Sequence, residues 1–253
     1  MAGHSKWANI RHRKAVVDAR RGKLFTRLAR EITIAARLGG GDPEANPRLR
    51  IAIENARAAN MPAENIRRAI LRGTGELHGE GGQLEEVLYE GYGPFGVALI
   101  IEVATDNRNR AVSQLRATLN RLGGTLGESG SVLWNFERKG VLYVEAEGLS
   151  EEALLEYALE AGADDIVRGD GNYIVYCPAT QLVACQKALQ EHGLQVKEAK
   201  LEWIPKSTVR IETRADAERL LKFLEAIEEL DDVQGVYSNF EMDDALLEEL
   251  QHA

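Results

Sequence analysis

The chain has 253 residues, 44% of them apolar and 28% charged, a composition typical of a folded globular protein with two or three domains. Its formal net charge of −9 argues against indiscriminate binding to polyanions, and two cysteines are too few for a disulfide framework. No apolar run is long enough for a membrane span and no signal-peptide core follows Met1, so we expect a cytoplasmic protein with no membrane partner.

The charge is distributed very unevenly along the chain. The first 75 residues carry a net charge of +10, whereas residues 76–253 carry −19. This asymmetry indicates a basic head for an anionic partner and an acidic body that limits non-specific adhesion. Attraction between the head and the body of one molecule is the alternative explanation.

The basic head begins with a segment in which nine Lys or Arg residues stand against one acid, Asp18, as far as Arg30. Residues 3–18 have weak periodicity, which predicts a mobile arm or a marginal helix, and we expect the arm to become ordered only on its partner. From Arg20 to Leu38 the spacing predicts a helix with a basic stripe opposite an apolar stripe, and the glycines 39–41 end it.

This N-terminal segment is the main candidate site for nucleic acid. Lys and Arg side chains suit contacts to phosphates, and the interleaved aromatic and imidazole rings suit stacking on bases. A charged surface helix without a ligand is the simpler interpretation, but the scarcity of acids argues against it. The candidate residues are Lys6, Trp7, Arg11, His12, Arg13, Lys14, Arg20, Arg21, Lys23, Arg27 and Arg30.

Two further short helices complete the head. Asn46 and Pro47 are typical of an N-cap and first helical position, and this helix is predicted to run to about Ala59. Pro62 opens a third helix that Gly73 is predicted to close. Five of the ten residues 73–82 are glycine, which predicts a flexible linker that lets the head swing relative to the body.

After the linker the apolar pattern changes to that of strands and helices in alternation. Residues 87–90 and 97–104 predict a hairpin, followed by a helix over 108–122 and a strand over 132–136. Residues 141–203 then show a complete β-α-β-β-α-β series, the ferredoxin-like split βαβ motif. The last predicted elements are a strand over 207–212, a helix over 215–230 and a strand over 233–240.

These elements predict an α+β multidomain fold, with an N-terminal helical bundle followed by two α/β ferredoxin-like domains, one inserted in the other. The final elements would complete the unit that began at residue 83. The predicted domains are therefore a basic helical domain of residues 1–75, a discontinuous α/β domain of residues 83–138 plus 205–241, and an inserted domain of residues 139–204.

Two glycine-rich segments resemble phosphate-binding loops. Gly91 to Gly96 fit G-x-G-x-x-G, but a strand rather than a helix follows and Pro94 lies inside the loop, so a hairpin turn is the better interpretation. Residues 123–131 could present amides to an anion, yet neither a helix nor a P-loop lysine follows. We interpret both segments as turns and predict no cofactor.

The sequence shows no pattern for metal binding or catalysis. His4 and His12 lack companions at metal spacing, and Cys177 and Cys185 stand alone. No Ser-His-Asp, Cys-His or paired-carboxylate constellation stands out, so we predict a protein that is not an enzyme and holds no metal. The acidic runs 225–232 and 241–249 are interpreted as solvated helix faces.

A second candidate site for an anion lies in residues 105–110. Arg108 and Arg110 fall in the first turn of a predicted helix, where the helix dipole favours acids instead. The free amides of that turn and the two guanidinium groups would suit an anion or a nucleic-acid backbone. Asp106 as the N-cap, with Arg108 as an ordinary surface residue, is nearly as good an explanation.

Seven segments together resemble the YebC family, over almost the whole length of the chain. They are residues 3–14 (GHSKWANIRHRK), 21–23 (RGK), 39–43 (GGGDP), 46–50 (NPRLR), 89–94 (YEGYGP), 106–110 (DNRNR) and 130–132 (GSV). The resemblance implies a three-domain protein with a helical N-terminal domain and two α/β domains. It also implies a regulator of gene expression that is not an enzyme.

The resemblance leaves the target open. Bacterial members are described as transcriptional regulators that bind DNA, mitochondrial members are translational activators, and a ribosome-associated role has been ascribed to bacterial members too. Our leading hypothesis is a nucleic-acid-binding regulator of transcription, with a ribosome-associated translational activator contacting rRNA or tRNA as the alternative. The absence of a helix-turn-helix signature slightly favours RNA. A protein-only adaptor, working through its acidic helices, is the third hypothesis.

Overall fold

The computed structural model describes residues 21–77, 83–145, 148, 150–169 and 171–251, so the predicted arm of residues 3–18 and residues 78–82 of the predicted linker lie outside the described residues. The helices are α1 (Arg21–Gly39), α2 (Pro47–Ala58), α3 (Ala63–Thr74), α4 (Arg108–Arg121), α5 (Glu151–Glu160), α6 (Leu182–Glu191), α7 (Arg214–Glu228) and α8 (Asp244–Gln251). The strands are β1 (Glu85–Tyr92), β2 (Ala98–Thr105), β3 (Thr125–Leu126), β4 (Phe136–Glu145), β5 (Asp165–Arg168), β6 (Asn172–Pro178), β7 (Val196–Pro205), β8 (Val209–Ile211), β9 (Val233–Ser238) and β10 (Phe240–Met242).

These elements confirm a mixed fold of helices and sheets, in which the hairpin strands pair antiparallel and β8 pairs parallel with β10. The described residues form two compact units, one made of 83–137 and 203–251 and the other of 21–77 and 138–202. The helical residues therefore share a unit with the residues that we predict as an inserted domain. The division into three domains stays a prediction.

The helical part is held together by the apolar faces of α1, α2 and α3. Their shared core consists of Ile32, Ala35, Ala36, Leu49, Ala52, Ile53, Ala56, Met61, Ile66 and Ala69. Asn46 connects two of these helices, as its side-chain oxygen caps α2 by accepting from the Leu49 amide (3.1 Å). Its side-chain nitrogen donates to the Ala35 and Gly40 carbonyls (2.8 and 2.9 Å), which fixes the end of α1 against the start of α2.

Gly73 does not close α3, contrary to the prediction. The helix continues to Thr74, and Gly75 takes the left-handed conformation after it, with φ 82°. A Cβ atom on Gly73 would lie 2.4 Å from the Thr33 carbonyl oxygen and 2.7 Å from the Ala36 Cβ, both on α1. Gly73 is therefore required by the close crossing of α1 and α3, not by a helix end.

Residues 138–202 form a four-stranded sheet in the order β5-β6-β4-β7, with α5 and α6 in the two crossovers. Strand β6 pairs antiparallel with both β4 and β5. This arrangement is the split βαβ motif, in which the first strand of the series lies between the last strand and the third. Its core joins β4 and β6 to the two helices through residues that include Leu142, Val144, Leu154, Tyr173, Val175 and Leu189.

Helix α2 is bonded directly to this part of the chain. The Asn55 side chain donates to the Ala199 carbonyl (2.7 Å) and accepts from the Ala199 amide (2.9 Å) on β7, a strand at the edge of its sheet. The carboxylate of the preceding residue, Glu54, accepts from the buried Gln186 amide at 2.8 Å, and Ile51, one turn before Asn55, packs against the core of residues 138–202. The head is thus tied to this sheet rather than swinging freely from it.

We expect Asn55→Ala to lower the free energy of unfolding by about 1–3 kcal/mol, because it leaves the edge amide and carbonyl of Ala199 without their partners. Urea unfolding followed by circular dichroism measures the loss. Asn65→Ala is the matched control, since Asn65 is an exposed residue of α3, and it should change stability by less than about 0.5 kcal/mol. Equal losses in both variants would contradict a docking role for Asn55.

The other unit is built on a sheet in the order β3-β1-β2-β9. The predicted hairpin is confirmed, since β1 pairs antiparallel with β2 from Glu85 opposite Thr105 to Tyr92 opposite Ala98, and Gly91 to Gly96 hold no helix N-terminus beyond a short 3-10 turn. The strand order differs from that of the ferredoxin-like motif, which we predicted for this unit too. The strand after α4 is only two residues long and pairs with the end of β1.

The predicted strand over residues 132–136 is wrong. Residues Leu133–Asn135 form a 3-10 turn, and β4 begins only at Phe136. The cause is Glu90 on β1, whose buried carboxylate accepts hydrogen bonds from the amides of Gly130 (2.6 Å), Val132 (2.8 Å) and Leu133 (2.8 Å). Amides that point at this carboxylate are not available for a β-ladder.

Candidate nucleic-acid interface

The packing of α1, α2 and α3 turns their charged residues outward. Residues 21–77 contain eleven Lys or Arg and six Asp or Glu, and the apolar side chains of all three helices are used in the shared core. On α3, Ile66 and Ala69 face the core, so Arg68 and Arg72 lie on the opposite side, one helical turn apart. Both arginines are exposed.

Three arginines of α2 and α3 have exposed side chains that make no ion pair with the residues that the structure describes, namely Arg57, Arg68 and Arg72. A guanidinium group without a carboxylate partner keeps its full charge and its five donors for a ligand. Sequence reasoning did not nominate these three. The sequence pattern that indicates them is the four-residue spacing of Arg68 and Arg72 on the helix face opposite Ile66 and Ala69. The higher density of Lys and Arg before Arg30 drew the prediction to that segment instead.

Other arginines of the helical part serve structural contacts. Arg48 makes a two-pronged pair with Glu31, with nitrogen to oxygen distances of 2.8 and 3.1 Å, and so joins α2 to α1. Arg50 donates to the carbonyls of Pro43 (3.1 Å) and Glu44 (2.9 Å) in the loop before α2. These two cations are therefore less available to a partner than those of α3.

A surface groove of about 340 Å³ lies between α2 and α3, and Arg57 is the one of the three exposed arginines named above that lines it. Its floor is apolar and includes Ile53, Met61 and Ile70, while Arg57 and Arg67 stand at its edge. Arg67 also pairs with Glu64 at 3.8 Å, a contact between two exposed side chains and therefore a weak one. The groove places apolar surface next to two positive charges.

The candidates from the N-terminal segment fall into two groups. Lys23 is exposed, and Arg27 and Arg30 are half-buried along α1. The helical backbone of α1 begins at Arg21. The remaining candidates lie outside the described residues, and they are Lys6, Trp7, Arg11, His12, Arg13, Lys14 and Arg20.

The second candidate site, at the start of α4, is partly neutralised. Asn107 caps the helix by accepting from the Arg110 amide at 3.0 Å. The Arg110 guanidinium donates to the buried Asp232 carboxylate (3.0 Å) and to Asp106 (2.6 Å). Hydrogen bonds to Asp232 and Asp106 raise the pKa of Arg110. Its charge is balanced by these two acids, which leaves Arg108 as the more open of the predicted pair.

Arg108 extends from the same turn with 63% of its side chain exposed, and its nearest acid among the described residues is Glu85 at 4.0 Å. Binding of an anion by Arg108 stays a prediction. Asp232 was interpreted as part of a solvated acidic run, which is wrong, because it is 5% exposed and also accepts from the Thr105 hydroxyl at 2.9 Å. This hydrogen-bond partner, Thr105, lies 127 residues away in the sequence.

The described residues contain no group of three or more His, Cys, Asp or Glu side chains placed to hold a metal ion. The thiols of Cys177 and Cys185 are buried in the core of residues 138–202. A hydrogen bond with Cys185, together with burial, raises the pKa of Cys177 far above the ordinary range, so this thiol stays protonated. Among the helices described, none combines the length and the apolar character that a membrane crossing requires.

Family models cover both halves of the chain. The model for the TACO1/YebC protein N-terminal domain matches residues 5–76, and the model for the TACO1/YebC second and third domain matches residues 84–240. The chain belongs to the TACO1/YebC family. The resemblance read from the sequence motifs is therefore confirmed, and the first model coincides with the basic helical part.

Full-length relatives in this family share about half of the residues. Proteins named "Probable transcriptional regulatory protein" from Persephonella marina and from Aquifex aeolicus are 53% and 52% identical, over 251 and 250 residues, covering 99% of this chain and 100% of each relative. The crystal structure of a conserved hypothetical protein from Aquifex aeolicus superposes with a TM-score of 0.84 at 51% identity, covering 90% of this chain and 93% of the other.

Proposed function

We propose that this member of the TACO1/YebC family is a non-enzymatic regulator of gene expression that binds nucleic acid through its basic helical part. The observation that carries the proposal is the exposed, unpaired set of arginines on α2 and α3, defined above as Arg57, Arg68 and Arg72. The relatives' name, which describes them as regulators of transcription, supports the same role.

Electrostatics favours nucleic acid over a protein ligand. Neutralising phosphates with Arg releases condensed counterions, which gives binding that does not depend on sequence. The net charge of −19 on residues 76–253 opposes non-specific attraction of phosphates to that part of the chain as a whole, so the main electrostatic attraction comes from the head. The predicted candidates before α1, such as Arg11 and Arg13, would add further positive charge to the head.

The experiment is a salt titration of binding by the full chain, with labelled duplex DNA and a structured RNA of equal length as probes. Log affinity falls as log salt rises, and each phosphate contact makes this negative slope steeper by about 0.9 for a duplex. We expect Arg68→Glu combined with Arg72→Glu to reduce the magnitude of the slope by about 2 and to weaken binding to all sequences alike. The probe that retains tighter binding near physiological salt identifies DNA or RNA as the target.

The matched control reverses two exposed cations elsewhere, Arg168→Glu combined with Lys187→Glu, whose side chains are 70% and 74% exposed in residues 138–202. This variant has the same net charge as the α3 variant and should keep the slope of the parent chain. A parent chain whose affinity does not respond to salt would favour the adaptor hypothesis instead.

A further inference from the structure

The exposed aromatic rings of the described residues lie on two segments, one formed by the end of β1 and the 3-10 turn after it, and the other by the 3-10 turn before β4. Among Phe, Tyr and Trp, only three are exposed there: Tyr92 (37%), Phe95 (41%) and Trp134 (69%). The Tyr92 hydroxyl and the Trp134 indole nitrogen both donate to the Ser131 carbonyl oxygen, at 3.3 and 2.9 Å. Two of the rings therefore meet at one backbone atom, and Phe95 follows Tyr92 by three residues.

The turn that carries Trp134 is held by side-chain hydrogen bonds on both sides. Before it, the Glu90 carboxylate holds three backbone amides, as described above. After it, the buried Asn135 side chain accepts from the Ser207 amide (3.0 Å) and hydroxyl (2.7 Å) and donates to the Ser207 carbonyl (3.1 Å). An indole that is mostly exposed and yet held in place is typical of a preorganised recognition surface, because it has no packing role of its own.

Two cations accompany these rings. The Lys206 ammonium group donates to the Trp134 carbonyl at 3.1 Å, and the Arg219 guanidinium lies 5.6 Å from the centre of the Phe95 ring. Phe95 holds a left-handed backbone conformation, with φ 66°, which a bulky residue rarely adopts. Strain of this kind is typical of functional loops.

We propose that Tyr92, Phe95 and Trp134 form a stacking platform for unpaired bases of a nucleic acid, with Lys206 and Arg219 contacting its phosphates. The choice of ligand follows from which groups of these side chains are still free to make contacts. The polar groups of Tyr92 and Trp134 are already used on Ser131, so their flat faces remain, and stacking needs only faces. A proline-rich peptide would also dock on aromatic side chains, but it has no phosphates for the two cations, Lys206 and Arg219, that lie beside these rings.

The proposal rests on the proposed function and deepens it. Arginines on α2 and α3 would hold the phosphates of the polymer, whereas the platform would select segments whose bases are unpaired. A base in a duplex is stacked on its neighbours and cannot reach an aromatic side chain, so the platform discriminates single strands from duplexes.

The test measures binding of a fluorescein-labelled adenine octaribonucleotide and of the same strand in a duplex, by anisotropy. Because Trp134→Ala removes an aromatic side chain on which a base would stack, we expect it to weaken the affinity for the single strand by about 5- to 150-fold. Trp134→Phe keeps a stacking face but loses the bond to Ser131, so it should retain most of the affinity. Leu159→Ala, at a side chain of similar exposure (63%) in the other unit, is the matched control and should bind like the parent.

Two further readouts separate this proposal from the proposed function. The parent should lose tryptophan emission on binding the octamer, and Trp134→Phe should lose much less. If Trp134→Ala binds the octamer as tightly as the parent, the platform is overturned, while a salt slope reduced by Arg68→Glu and Arg72→Glu would leave the proposed function standing. Quenching of Trp134 by a proline-rich peptide and not by the octamer would also overturn the proposal.

Discussion

Replacing Glu90 with alanine will lower the free energy of unfolding by about 3–5 kcal/mol at pH 7, because the amides of Gly130, Val132 and Leu133 lose their acceptor in a buried place. Glu90 is 5% exposed, so water cannot readily replace the carboxylate. Glu90→Gln is expected to lose less, since it keeps one acceptor oxygen. Urea unfolding at pH 7 measures both losses.

The same contact predicts how stability changes with pH. Burial alone would raise the pKa of Glu90, but the hydrogen bonds from Gly130, Val132 and Leu133 lower it below the ordinary value. A carboxyl group whose pKa is lowered on folding stabilises the protein fully above its unfolded pKa of about 4.3, and the contribution is lost as the pH falls through the folded pKa. The advantage of the parent over Glu90→Gln should therefore shrink below about pH 4.

The control for this prediction is Glu128→Gln, which removes an exposed carboxylate from the same glycine-rich segment. It should leave both the stability at pH 7 and its dependence on pH close to those of the parent. A difference between the parent and Glu90→Gln that stays constant from pH 7 to pH 3 would show that charge on Glu90 is not what holds the amides.

Glu90 also shows where sequence reasoning reached its limit. The segment 123–131 was recognised as a set of amides that could hold an anion, and it was interpreted as a turn because no ligand signature followed. The amides of Gly130, Val132 and Leu133 do hold an anion, but it is a carboxylate forty or more residues away. Local patterns cannot reveal such a partner, so Val132 and Leu133 were assigned to a strand by their apolar character.

Local chemistry did predict most element boundaries. Asn46 and Pro47 predicted the start of α2. The alternating pattern over residues 141–203 predicted all four strands of that sheet and the two helices that connect them. For the candidate site, charge clustering predicted a basic helical head, whereas the role of each cation depended on tertiary contacts. Arg110 meets Asp232 across 122 residues and Arg48 meets Glu31 on a neighbouring helix, and neither pairing is visible in the sequence.

Gly73→Ala will destabilise the helical part by about 1–3 kcal/mol, although alanine is the better helix former by about 1 kcal/mol. The new methyl group would lie 2.4 Å from the Thr33 carbonyl oxygen, a backbone atom that can move only if α1 and α3 separate. Gly22→Ala is the control, because nothing lies within 4 Å of a Cβ atom there, and it should keep or slightly raise stability. Thermal unfolding of the two variants measures the change in stability. If Gly73 were an uncrowded residue of α3, Gly73→Ala would raise the stability of the protein, whereas the close crossing of α1 and α3 predicts that it lowers it.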